Sequence, residues 1–263
     1  MLYFEPRYSD AEMGRLYGRY RSEEYCRVRE RFEPGYASIN GMIGNDRTGI
    51  ANRKAHIESI LRGVIEPPAG NLLDFGGDRG QFIPDSCRSA NRFVYEASEA
   101  DPVDGVVRID SPEERGPYDL ILCCHVLEHL PDPMETVRRI HSLLATGGYA
   151  YFEVPVEIGV KTIVSMALGR WIRQGSPGYP QLHEHINFYS RHSLGNAVSL
   201  AGLVPRAAVY RTVDHGWCRV PTLSVLARKE HSPVRPRTRG RISQLTELGA
   251  SPFVRTVLGN LLR

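Results

Sequence analysis

The sequence predicts an α/β fold: a seven-stranded, mostly parallel, doubly wound sheet preceded by helices, interrupted by a lid insertion and followed by a C-terminal helix. Three observations predict it. Leu72-Leu73-Asp74-Phe75-Gly76-Gly77-Asp78-Arg79-Gly80 is a short apolar run ending in an acid and then in closely spaced glycines, the pattern of a strand entering a tight turn whose main chain a ligand can approach. From Asn71 onward, short apolar runs alternate with helical stretches, which implies parallel pairing through crossover helices. Leu130-Pro131-Asp132-Pro133 opens a helix with Asp132 as N-cap, Pro133 at the first position and Glu135 at N3.

A chain of 263 residues suits one such domain with additions. Residues 1–66 read as a helical cap, 67–230 as the sheet domain with a lid at 156–182, and 231–263 as a basic linker and final helix. In the cap, Ser9 with Glu12 forms a capping box before Met13, Leu16, Tyr17 and Tyr20, and a second helix runs from about Thr48 to Arg62. Glu33 to Tyr36 and Gly41 to Gly44 read as turns. Strands are expected at Asn71–Phe75, Arg92–Glu96, Gly105–Ile109, Tyr118–Cys124, Tyr149–Val154, Leu203–Thr212 and Pro221–Ala227, the last two as an antiparallel end to the sheet. Gly147-Gly148 is expected to end the helix that Asp132 begins. The lid carries the apolar segment Ile163 to Leu168. In the tail, Arg235, Arg237, Arg239 and Arg241 precede an apolar stripe of Leu245, Leu248, Phe253, Val257 and Leu261. That stripe either docks on the parent domain or a homodimer partner, or rests on an anionic membrane surface.

Composition narrows the function classes. A net charge of +3 gives no argument for nucleic-acid binding. Five cysteines without a C-x-x-C pair suggest neither a disulfide framework nor a zinc knuckle, so a reducing cytoplasm is the expected location. No run reaches the roughly 18 apolar residues of a membrane span.

The glycine turn then narrows the cofactor. A dinucleotide fingerprint requires G-x-G-x-x-G, and the run that starts at Gly76 has Asp78 and Gln81 at its later glycine positions. Open α/β sheets bind ligands at the carboxyl ends of their strands. Asp74 closes the first strand and orders the turn formed by Gly76, Gly77, Asp78 and Gly80. Glu96 closes the second, at about the 20-residue offset where a carboxylate accepts from a ribose diol. Asp110 and Ser111 end the third, within reach of an adenine edge, and His125 follows the fourth.

Asp74 to Gly80, together with Asp119-Leu-Ile-Leu-Cys-Cys-His-Val-Leu-Glu-His129-Leu-Pro-Asp-Pro133, Leu144 to Gly148 and Phe152 to Pro155, resembles the motifs of class I S-adenosylmethionine-dependent methyltransferases of the Rossmann-like type. The resemblance covers about Asn71 to Leu203. It departs from the family pattern at Asp78, which replaces a middle glycine and would either hydrogen-bond the loop or weaken cofactor binding. His183 to Ser190 resembles small-molecule methyltransferases of bacterial glycan and natural-product biosynthesis. The resemblance implies S-adenosyl-L-methionine as cofactor and a small polar acceptor, a sugar or nucleotide-linked sugar hydroxyl first. A natural-product or quinone acceptor and a non-catalytic binding protein are the alternatives. An alcohol acceptor needs a base, and histidine is the commonest. His185 and His125 rank first, then His183, while His129 reads as structural. His183 and His185 share a face of an extended segment but lack a third ligand at a recognisable spacing, so no metal is expected.

Overall fold

Strand β2 (Asn71–Phe75) is central, with β3 (Asn91–Tyr95) and β4 (Val106–Arg108) to one side and β5 (Tyr118–Cys124) and β6 (Leu144–Pro155) to the other. These five are parallel. The computed structural model describes residues 2–3, 9, 11–12, 22–31, 34–42, 45–98, 100–156, 185–216 and 218–231. The helix expected beyond Met13, His183, nearly all of the lid and the whole basic tail lie outside the described residues. A two-residue β1 (Leu2–Tyr3) pairs antiparallel with β7 (Asn187–Phe188). β8 (Leu203–Asp214) and β9 (Arg219–Lys229) complete the large sheet in the order β4-β3-β2-β5-β6-β9-β8, with β9 antiparallel to both neighbours. The seven expected strands are therefore present, including the antiparallel end.

Strands buried on both faces read as near-continuous apolar runs, and β2 and β5 do so apart from Asn71, Asp74 and the exposed Asp119. Leu72, Leu73, Leu120, Ile121 and Leu122 are all fully buried. Alternation sends Leu73, Ile121, Cys123 and Phe152 to one face, against Val137 and Ile140 of α4 (Pro133–Leu143) and Leu194 and Val198 of α5 (Arg191–Leu200). Leu72, Leu120, Leu122 and Tyr151 meet Ile57, Ile60 and Leu61 of α3 (Arg47–Leu61) on the other. Cys123 and Cys124 thus pack against opposite cores, which accounts for their pairing in sequence.

Four sequence expectations fail locally. No α-helix follows the glycine turn: Pro84 leads into a single 3-10 turn at Asp85–Cys87, and β4 reaches β5 through another at Pro112–Glu114. Alternation correctly gives parallel pairing but overstates the crossover helices. Gly147 and Gly148 lie inside β6, not at a helix end. Leu144 turns extended and stops α4, and the glycines serve the register shift opposite Tyr118 and Leu120, where a Cβ on Gly148 would sit 2.8 Å from the Tyr118 carbonyl oxygen. Gly41 belongs to a helix, α2 (Tyr36–Met42), which follows α1 (Glu23–Glu30). The Ser9 and Glu12 capping box is formed, with Ser9 N–H donating to Glu12 at 2.7 Å and Glu12 N–H to Ser9 Oγ at 3.4 Å.

Among the described residues, no helix is long and apolar enough to cross a membrane.

Candidate active site

The position expected for a ligand is the switch point where β2 lies between β3 and β5, at the carboxyl ends of these strands. Gly76 leaves β2 at φ +70°, and a Cβ there would stand 2.5 Å from Val126 Cγ2. A Cβ on Gly77 would run into the Asp74 carboxyl group. Asp78 also takes a left-handed conformation, φ +55°, which aspartate tolerates better than most side chains, and its Oδ2 accepts from Gln81 Nε2 at 2.9 Å. The departure from glycine is thus accommodated by the backbone and used to brace the loop.

Asp74 is 2% exposed, and its Oδ2 has no hydrogen-bond partner among the described residues. Burial pushes its pKa up to about 7, against the pull of Arg53. An unpartnered, buried carboxyl oxygen beneath a glycine turn fits the ammonium end of an amino-acid-bearing cofactor. Glu96 follows the last residue of β3: Oε2 accepts from Asp78 N–H at 2.9 Å, and Oε1 from Ala97 and Ser98 N–H at 2.8 and 3.1 Å. Oε2 keeps accepting capacity for a hydroxyl. Ser111 caps the 3-10 turn through a capping box with Glu114, so its hydroxyl is committed locally, while Asp110 is exposed beside it. Of the residues expected for the cofactor, Asp74, the glycine turn, Asp78 and Glu96 lie together, while Ser111 has a local capping task and Asp110 is exposed.

The histidines gather around two buried acids. His125 leaves β5 at φ +57° and lies between Glu153 (Nε2 to Oε1, 3.1 Å) and Glu128 (Nδ1 to Oε1, 3.4 Å), each acid 1% exposed. Burial opposes its charge, yet the two carboxylates outweigh burial and raise its pKa. Burial likewise works against Glu128, but His125 and the neighbouring imidazoles hold it down to about 2. His125 thus has both ring nitrogens facing carboxylates, which favour its protonated form. That arrangement suits an orienting role and does not suit a free base.

His185 is buried near Glu128, its ring edge-on to His129 at 4.7 Å between centroids. The segment is bolted in place: Ile186 and Asn187 N–H donate to the Glu128 carbonyl oxygen at 2.8 and 3.0 Å, and Asn187 Nδ2 to the carbonyls of Leu127 and Leu130 at 3.1 and 2.7 Å. The structure brings His125, His129 and His185 together around one carboxylate.

Five further residues join the site that spacing alone did not single out. They are Glu128, Glu153, Arg53, His56 and His215. Glu153 accepts from Tyr151 Oη at 2.5 Å and lies 3.5 Å from Arg53 and 3.6 Å from His56, which also meets Ser224 Oγ at 2.9 Å. His215, in the β8–β9 turn, stacks edge-on to His125 at 5.4 Å, and burial with the nearby cations keeps its pKa down at about 3. One signal was available: Glu153 is a lone acid inside the apolar run Tyr149–Val154, where an acid is costly to bury unless it is paired. Arg53 and His56 carry no such signal, because Glu153, the acid they share, is about a hundred residues away.

A methyltransferase-domain family profile matches residues 17–208. An O-methyltransferase of ubiquinone biosynthesis from Bordetella avium is 30% identical over 94 residues, 35% of this chain and 38% of that protein. Its namesake from Marinobacter nauticus is 42% identical over 40 residues, covering 15% and 17% of the two chains. The matched segments span less than half the length of these relatives. Among solved structures, the 1,6-didemethyltoxoflavin N1-methyltransferase of Burkholderia thailandensis, with its substrate and S-adenosylhomocysteine bound, superposes with a TM-score of 0.50 at 18% identity, over 79% of this chain and 89% of that one. At that identity the likeness concerns the fold.

Proposed function

The chain belongs to the methyltransferase-domain family, and on that premise we propose that it transfers the methyl group of S-adenosylmethionine to a hydroxyl of a small quinone-type aromatic ring. The observation that carries the cofactor reading is the buried, unpartnered Asp74 carboxyl under the glycine turn at the sheet's switch point. Asp74 and the turn hold the amino-acid end, and Glu96 the ribose. The cofactor supplies an electrophilic methyl on a sulfonium. The chain's share is to align an oxygen with it and to handle that oxygen's proton, and alignment alone is worth up to about 7–11 kcal/mol.

For the acceptor, the named relatives favour a ring hydroxyl over the sugar hydroxyl expected from the sequence. His125, held between two acids, orients the mouth of the site; His185, beside Glu128 and His129, deals with the acceptor's proton. A radiolabelled methyl-transfer screen tests both halves. Catechols and hydroquinones should be labelled and sugar nucleotides should not, with His185→Ala slowing turnover by about 10²-fold while S-adenosylhomocysteine still binds. Labelling of sugars alone would remove the acceptor assignment, and unchanged turnover in the variant would remove His185.

A further inference from the structure

We propose that Glu128, His129 and His185 form a binding site for a divalent first-row transition ion such as zinc. One ligand atom from each lies within 4.8 Å of the others. The sequence spacing offers no third ligand beside His183 and His185; the fold supplies two, by tying the His185 segment to the turn after β5 through the pair of hydrogen bonds to the Glu128 carbonyl and the Asn187 bridge. That scaffold fixes the ligands before any ion arrives, as a preorganised site requires.

A second observation points to a cation. Both Glu128 side-chain oxygens are buried and without a hydrogen-bond partner among the described residues, although the residue is 1% exposed. His125 at 3.4 Å and His129 at 3.9 Å give Oε1 ion-pair contacts without a hydrogen bond, and neither contact is to Oε2. Oε2 is the buried oxygen that a bound cation would complete. Two imidazoles and one carboxylate suit zinc, cobalt, manganese or ferrous iron better than calcium or magnesium, which prefer oxygen ligands. Three protein ligands among the described residues leave a coordination position open. Under the methyl-transfer reading, that position would take the acceptor hydroxyl and lower its pKa so that its proton passes to solvent, with His185 acting through the ion and not as a free base; this consequence rests on that reading, whereas ion binding does not.

The test uses the full chain, stripped with a chelator and then titrated with Zn²⁺ or Co²⁺. Metal content is read by emission spectroscopy and cobalt geometry by its visible absorption. One equivalent should bind, and His185→Ala and Glu128→Gln should each weaken binding by about 10-fold or more. His141→Ala, on α4 away from the cluster, should bind as the parent does, and cooperative thermal unfolding of each variant guards against misfolding. Uptake that is absent, or equal in the parent and in a folded Glu128→Gln, overturns the site and leaves His185 to take the acceptor's proton directly. S-adenosylhomocysteine titrations run in parallel separate this outcome from failure of the methyltransferase reading, since losing one kind of binding does not entail losing the other.

Discussion

Asp74 is the residue on which the cofactor site turns. Its pKa stands at about 7 in the folded chain against about 3.9 in an unfolded one. Its contribution to stability is therefore complete below about pH 4 and is lost as the pH rises through about 7. A cofactor ammonium placed against the carboxyl reverses that preference and expels the proton. At pH 6, S-adenosylhomocysteine binding should release about one proton. Calorimetry in two buffers of different ionisation enthalpy should show that difference, and Asp74→Asn should abolish it; equal heats for the parent protein would mean that the carboxyl does not meet the ligand. Gly76 gives the complementary steric test. At φ +70° and 2.5 Å from Val126, a Cβ is strained and crowded, so Gly76→Val should remove the thermal shift produced by the ligand.

At the scale of elements, α3 ties the β8–β9 turn to the buried acid of β6. Its face at Gly49, Arg53 and His56 lies on the β8–β9 turn and on Glu153 of β6. Replacing glycine by alanine inside a helix ordinarily gains about 1 kcal/mol. Here a Cβ on Gly49 would run into the His215 carbonyl oxygen, so Gly49→Ala should destabilise the protein, a change of sign that urea denaturation reads directly. Glu153→Ala should cost about 3–5 kcal/mol by leaving Arg53 and His125 without their buried partner. A loss under about 1 kcal/mol would mark the network as exposed in solution. The elements themselves differ in how legible they were. Asp132, Pro133 and Glu135 announce α4 because capping is local chemistry. The 3-10 turn after β2 was unreadable, since the strand–glycine pattern sets only the start of a crossover and Pro84 redirects the rest.

At the scale of the whole chain, the sheet was legible strand by strand, because double burial writes an apolar run at β2, β5 and β6 that no solvent-facing segment needs. The cofactor crevice followed from it, since Asp74 and Glu96 are strand-end positions. The cluster of histidines and acids was only partly legible: His125 and His185 stand out as residue types, but that one lies between two acids and the other meets Glu128 and His129 depends on contacts across the fold. The central claim, that this crevice holds S-adenosylmethionine, is tested most directly by calorimetric titration of the chain with S-adenosylhomocysteine. Binding near micromolar, about −8 kcal/mol, weakened by Glu96→Ala, is the predicted result. No heat, with no thermal shift at high ligand concentration, would contradict it.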